Sequence, residues 1–62
     1  EALTAAKKAV ELDPNFPMSH NNLAVAYYYT KDYPGAKKAI DEAVKRGYPV
    51  DPNFIKAVNE EL

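Results

Sequence analysis

Small and apolar residues recur at helical spacing along the chain, and prolines divide the pattern into four segments. The first segment predicts a helix from Glu1 to about Leu12, because its apolar residues follow i, i+3, i+4 spacing. Pro14 predicts the end of that helix, since a proline disfavours helical geometry in the residue before it. The apolar stripe of this segment is formed by Ala2, Ala5, Ala6, Ala9 and Val10.

The second and third segments predict two longer helices. The second helix runs from Pro17 to Thr30, with Asn15 as the expected N-cap and the proline in the first turn, where a missing N–H has no helical partner anyway. Its apolar stripe is formed by Leu23, Ala24 and Tyr27. The third helix follows Asp32, an N-cap residue, and Gly47 predicts its left-handed stop. Its stripe is formed by Ala36, Ala39, Ile40, Ala43 and Val44.

The last segment predicts a short helix with Asp51 as its N-cap and Pro52 in its first turn. Its apolar stripe is formed by Phe54, Val58 and Leu62. No segment alternates apolar and polar residues as a half-buried strand does. The chain therefore predicts an all-α fold of about four helices.

Composition narrows the classes of function. The chain has 62 residues, 47% of them hydrophobic, and a formal net charge of -1, which fits one small domain. Eight basic and nine acidic residues are interspersed, so they give no field of one sign and we expect no nucleic-acid partner. The longest apolar run, Leu23 to Tyr29, is far shorter than the ~20 residues that span a bilayer, so we expect no membrane partner.

Candidate catalytic residues are few. A nucleophile needs a base that faces it, and the chain has one Ser, Ser19, one His, His20, and no Cys. Adjacent residues on a helix point about 100° apart, so these two do not face each other. A single His without nearby acidic residues is a poor metal site, and two isolated glycines form no phosphate loop. We therefore expect no enzyme activity, no metal and no cofactor.

The sequence repeats itself. A shift of 34 residues aligns the small residues of the first predicted helix with those of the third. Such a period indicates stacked helical units rather than one closed globule. The aligned pairs are Ala2 with Ala36, Ala5 with Ala39, Ala9 with Ala43 and Val10 with Val44.

Seven spaced residues form a motif: His20, Leu23, Ala24, Tyr27, Ala36, Ile40 and Ala43. Their spacing resembles that of the tetratricopeptide repeat family, whose 34-residue pattern is W-x2-L-G-x2-Y, then A-x3-F, then P. Here His20 replaces the Trp, Ala24 the Gly and Ile40 the Phe. A helix-pair repeat of the Sel1-like kind is the alternative, favoured by the long turn at Gly47.

The resemblance implies antiparallel helix pairs stacked as a right-handed superhelical solenoid. In this frame, residues 1–14 form the second helix of a preceding repeat and residues 15–49 form one complete helix pair. Residues 50–62 form either the first helix of a following repeat or a C-terminal capping helix. The resemblance also implies a non-catalytic scaffold that binds other proteins.

In this family the first helix of each pair lines a concave groove that holds a peptide or a partner helix. The resemblance therefore implies a partner-binding surface on the second predicted helix. Val25 and Tyr29 replace the Lys and Arg of the variety that clamps a C-terminal carboxylate, so no such clamp is expected. The alternative is that these side chains pack on an adjacent helix. The implied surface comprises Met18, Asn21, Val25, Tyr28 and Tyr29.

Three successive tyrosines on a helix cannot share one face. If Tyr27 packs inside, we expect Tyr28, Tyr29 or both to reach the surface.

The apolar stripes of the first and last helices suggest a second possibility. A helix at the end of a repeat array leaves its stripe uncovered, so the last helix of one copy would contact the first helix of another. Such a head-to-tail contact builds a ring where it closes and a filament where it does not. The residues expected in this self-association are Ala2, Ala5, Ala9, Phe54, Val58 and Leu62.

Overall fold

The computed structural model describes residues 2–62 and contains four α-helices over that range. They are α1 (Ala2–Leu12), α2 (Pro17–Tyr29), α3 (Tyr33–Lys45) and α4 (Pro52–Glu61). No strand occurs among the described residues, so the predicted all-α fold is confirmed. The predicted helix start at Glu1 lies outside the described residues.

Two of the three predicted N-caps are confirmed. The Asp32 carboxylate accepts a hydrogen bond from the Gly35 N–H at 3.0 Å, and the Asp51 carboxylate accepts one from the Asn53 N–H at 2.9 Å. Each bond satisfies an N–H that the first turn of a helix leaves without a helical partner.

The prediction that Asn15 caps α2 is wrong. The N-cap is Phe16, which makes no side-chain capping bond. Its N–H bonds to the Asp13 carbonyl at 3.2 Å, and its carbonyl accepts from the Ser19 N–H at 3.1 Å. Asn15 therefore lies inside the turn, one residue before the position from which a side chain caps the helix.

The predicted stop of α3 at Gly47 is confirmed. Gly47 has a φ of 84°, which lies in the left-handed region that glycine adopts without steric cost. Its N–H bonds to the Val44 carbonyl at 2.9 Å, and the Tyr48 N–H bonds to the Ala43 carbonyl at 3.0 Å. These bonds satisfy carbonyls at the end of α3 and turn the chain toward α4.

The hydrophobic core lies between α2, α3 and α4. The short connection between α2 and α3 makes them an antiparallel hairpin, which holds the most extensive helix contact, while α1 packs on α2 and α4 packs on α3. Small residues at a helix crossing let two backbones approach closely. Helix α1 contributes no buried residue. The buried core residues are Ala24, Ala36, Ala39, Ile40, Ala43, Val50 and Val58.

The expectation that α4 leaves its whole apolar stripe uncovered is wrong. Val58 has 0% of its surface exposed, and Phe54 packs against the core beside it. Val58 lies at the centre of the stripe, and its burial holds α4 on α3. Val58 is therefore not available to contact another copy of the chain. Leu62 at the end of the stripe is 59% exposed.

Candidate functional site

An open apolar groove of about 400 Å³ lies between α1 and α2. One wall is a stripe of alanines on α1 and the other is the adjoining face of α2. None of the lining side chains is charged, so the groove offers apolar contact together with the Asn22 amide and the Tyr29 hydroxyl. The lining residues are Ala2, Ala5, Ala6, Ala9, Asn22, Val25, Ala26 and Tyr29.

The groove brings together residues that the sequence assigned to two different surfaces. Val25 and Tyr29 come from the implied partner-binding surface, whereas Ala2, Ala5 and Ala9 come from the expected self-association stripe. The periodicity of a helix shows which residues share a face, but it does not show that α1 lies beside this face of α2.

Three further lining residues, Ala6, Asn22 and Ala26, belong to neither surface expected from the sequence, although Ala6 lies on the predicted apolar stripe of the first helix. Helical spacing could have found them. Ala6 follows Ala2 by four residues, and Asn22 precedes Val25 by three, so each lies on the same helix face as a residue already selected.

The alanine stripe of α1 is exposed although its repeat in α3 is buried. Ala36, Ala39 and Ala43 belong to the core, covered by neighbouring helices. Their counterparts in α1, at the 34-residue shift, are Ala2, Ala5 and Ala9, and all three are exposed. The same surface chemistry is thus covered in one helix and open in the other.

Tyr28 does not line the groove. Its ring makes edge-to-face contacts with Tyr29, Tyr33 and Phe54, at centroid distances of 6.2, 5.7 and 5.6 Å. Tyr28 is half-buried, while Tyr29 is 79% exposed, which confirms that at least one of the consecutive tyrosines reaches the surface. For Tyr28, packing on adjacent helices is therefore the observed arrangement.

The other two residues of the implied surface, Met18 and Asn21, also lie outside the groove lining. Met18 is exposed and Asn21 is half-buried. Both lie on the first turns of α2, away from Tyr29 at its C-terminal end.

His20 occupies a structural position. It is buried, and its Nε2 lies 2.7 Å from the Pro14 carbonyl oxygen. A carbonyl can only accept, so Nε2 carries the proton in this bond, which ties α2 to the turn that follows α1. His20 also lines a smaller cavity of about 230 Å³ together with Leu23 and Tyr27.

The smaller cavity is bounded on the α3 side by Lys38 and Glu42. Arg46 donates a hydrogen bond to the Glu42 carboxylate, and this bond lowers the pKa of Glu42 below its ordinary value. On the α1 side, the Lys7 ammonium lies 5.6 Å from the centre of the Tyr27 ring, a cation–π distance. Glu42 and Lys7 thus contact neighbouring side chains, and Lys38 is exposed.

Residues 2–62 contain no group of three or more His, Cys, Asp or Glu side chains arranged to hold a metal ion. In the same part of the chain, no helix is long and apolar enough to cross a membrane.

Comparison with known proteins agrees with the repeat. The family pattern described as the tetratricopeptide repeat matches residues 5–38. This stretch has the length of the internal period, covers more than half of the chain, and runs from within α1, through α2, into α3. Searches of curated proteins and of solved structures gave no match. The chain belongs to the tetratricopeptide repeat family.

Proposed function

We propose that this chain is a non-catalytic protein-interaction scaffold, and that the groove between α1 and α2 receives an apolar segment of a partner protein. The observation that carries the proposal is the groove itself, because eight uncharged residues of two helices line an open space of about 400 Å³. The small alanine side chains of α1 allow the backbone or side chains of a bound peptide to approach the helix closely. The exposed Tyr29 supplies a large contact area at low entropic cost.

The repeat frame supports this assignment. We propose that α2 and α3, within residues 15–49, are the complete helix pair and that residues 1–14 are the second helix of a preceding unit. Residues 50–62 act as a cap, because α4 buries Val58 and exposes Lys56 and Glu60 on its other side. Polar outer faces of this kind end repeat arrays. Stacking into a right-handed superhelix stays a prediction.

The absence of enzyme activity is also part of the proposal. Ser19 and His20 are both buried, and the His20 ring is bonded to the Pro14 carbonyl. Adjacent residues on a helix point about 100° apart, so Ser19 does not face His20 as a nucleophile faces its base. Family members are typically non-catalytic, which agrees with this assignment.

Selection from a library of random 15-residue peptides tests the groove. We expect the purified chain to enrich peptides that carry apolar residues on one helical face or along one edge. Binding of the enriched peptides should fall at least tenfold in Val25→Glu, because a carboxylate would then be buried against alanines without a partner.

The matched control is Val44→Glu. Val44 is an apolar residue of α3 that is already 50% exposed and does not line the groove. The control should keep the affinity of the original chain. Equal binding by Val25→Glu and the original chain, or enrichment of no peptide above background, would overturn the proposal.

Self-association through the first and last helices is the second candidate function. Fewer residues are exposed for this contact than the sequence predicted. Leu62 and the α1 alanines remain exposed, whereas Val58 does not. Sedimentation velocity over a range of concentrations tests it. A large species that is lost on Leu62→Asp would support head-to-tail association, and a folded monomer at every concentration would exclude it.

A further inference from the structure

Three helices bring four aromatic rings into one cluster. Tyr28 and Tyr29 come from the end of α2, Tyr33 from the start of α3 and Phe54 from the first turns of α4. The Tyr28 ring is central, with edge-to-face neighbours at 5.6 to 6.2 Å. Tyr29 is mostly exposed, and Tyr33 and Phe54 are each half-buried. The cluster therefore presents ring surface to solvent.

Negative charge lies beside this cluster. Partial burial, the negative charge of Glu61 and the neighbouring Tyr28 together raise the pKa of the Tyr33 hydroxyl. Glu61 and the adjacent Glu60 are exposed at the end of α4. Helix α2 contains no charged residue, so no cation on that helix offsets these carboxylates.

Among the described residues 2–62, no cation occupies the ring faces of the cluster. Within residues 2–62, the cation–π contact is that of Lys7 with Tyr27, which does not belong to the cluster. Lys31 lies nearby in sequence, is exposed and makes no such contact with these rings.

We propose that Tyr29, Tyr33 and Glu61 bind a basic side chain, an arginine or a lysine, of a protein partner. Ring faces carry the negative part of the aromatic quadrupole and attract a cation, and a guanidinium also stacks on them through its planar shape. The carboxylate of Glu61 adds charge complementarity.

This proposal specifies the chemistry of the partner of the scaffold. It rests on the proposed function, because the bound side chain belongs to a partner protein. Tyr29 belongs both to the groove lining and to the cluster. A segment that leaves the groove beside Tyr29 therefore reaches the cluster with its next residues.

A matched pair of blocked tripeptides tests the patch without any knowledge of the natural partner. Acetyl-Gly-Arg-Gly-amide carries the guanidinium, and acetyl-Gly-citrulline-Gly-amide has nearly the same shape without the charge. We expect the arginine peptide to shift the NMR signals of Tyr28, Tyr29 and Tyr33 with a steeper initial dependence on concentration than the citrulline peptide. The difference should shrink as salt is added, because the charges are exposed.

Two variants and one control localise the effect. Glu61→Gln should reduce the initial slope about two- to fivefold, the range for losing one exposed ion pair. Tyr29→Leu should reduce it by a similar factor of about two to five through loss of a ring face. Glu11→Gln removes an exposed carboxylate of α1 and should leave the slope unchanged.

Equal slopes for the two peptides, or an unchanged slope in Glu61→Gln, would overturn the proposal. Equal loss in Glu61→Gln and Glu11→Gln would also overturn it, since net charge alone would then explain the binding. None of these outcomes affects the groove, which Val25→Glu tests separately. Conversely, an arginine response that persists in Val25→Glu would keep the patch even if the groove bound no peptide.

Discussion

Ala9 and Ala43 stand 34 residues apart at matching positions of the repeat, yet Ala43 is fully buried in the core and Ala9 is exposed on the wall of the groove. The two residues share one chemistry and one helical setting. They differ in what covers them, because α3 contacts both α2 and α4, whereas α1 contacts α2.

This pair gives a direct test of the groove by stability. Ala43→Leu should lower the free energy of unfolding by about 1–3 kcal/mol, since extra methylenes in a packed core force neighbours apart. Ala9→Leu should change it by no more than ~0.5 kcal/mol, the usual range for an exposed site. Urea unfolding followed by circular dichroism measures both.

Alanine and leucine have similar helix propensities, so the two substitutions control for each other. A loss of stability on Ala9→Leu equal to that on Ala43→Leu would show that the α1 stripe is covered in solution. If this equal loss of stability does not depend on protein concentration, the α1 stripe is covered by residues of the same chain and not by a second copy.

The turns before α2 and α3 predict different losses of stability when the candidate cap residue is replaced. Asp32→Ala should cost about 1 kcal/mol, because its carboxylate accepts from the Gly35 N–H and such caps are worth ~0.5–2 kcal/mol. Asn15→Ala should change stability by less than ~0.5 kcal/mol, since α2 has no side-chain cap. Thermal midpoints of the two variants check the prediction. Equal midpoints would contradict it.

Local signals made most of the fold predictable from sequence. The cap at Asp32, the stop at Gly47 and the periodic alanines each act within one or two turns, so their effect on helix boundaries can be derived without knowing the tertiary structure. The error at Asn15 is of the same local kind. The proline of the first turn fixed the helix start at Pro17, and the cap position therefore fell on Phe16.

The candidate site was less predictable, because it depends on which helix faces which. Periodicity identified the stripe of Val58 as apolar but not whether α3 covers it. The family resemblance implied Val25, Tyr28 and Tyr29 as candidates, but their separation between the groove and the aromatic cluster follows from the contacts of α2 with α1 and α4. These helix–helix contacts are tertiary, and a repeat period of 34 residues does not determine which faces of the helices meet.

The ends of α2 and α3 share one turn geometry, with different residues at the strained position. Lys31 has a φ of 64° and Gly47 a φ of 84°. The N–H of the next residue, Asp32 or Tyr48, bonds in each case to a carbonyl five residues earlier, at 2.9 and 3.0 Å. A side chain at such a φ carries a steric cost that glycine avoids.

Removing the side chain of Lys31 and adding one at Gly47 should therefore change stability in opposite directions. Lys31→Gly should raise the free energy of unfolding by about 0.5–1 kcal/mol, and Gly47→Ala should lower it by about 1 kcal/mol. Chemical denaturation of both variants at one pH measures the difference. A stabilising Gly47→Ala would mean that the turn does not hold this conformation in solution.

The Glu42–Arg46 contact predicts a pH dependence of stability. Arg46 donates to the Glu42 carboxylate and, at 3.2 Å, to the Glu42 carbonyl, and the carboxylate bond lowers the pKa of Glu42 in the folded chain. A carboxyl group with a depressed folded pKa stabilises the fold above its unfolded pKa and loses that contribution as the pH falls through the folded value. Stability should therefore decrease below about pH 4.

Glu42→Gln should make the thermal midpoint less sensitive to pH over this acidic range, because the variant has no carboxyl group to protonate at that position. Asp41→Asn is the matched control. It removes one negative charge from the next residue, whose carboxylate lies 3.7 Å from the Lys37 ammonium in a more exposed pair, and exposed pairs contribute little. If both variants reduce the dependence of the thermal midpoint on acidic pH equally, the overall charge of α3 explains that dependence and the bond between Arg46 and Glu42 does not.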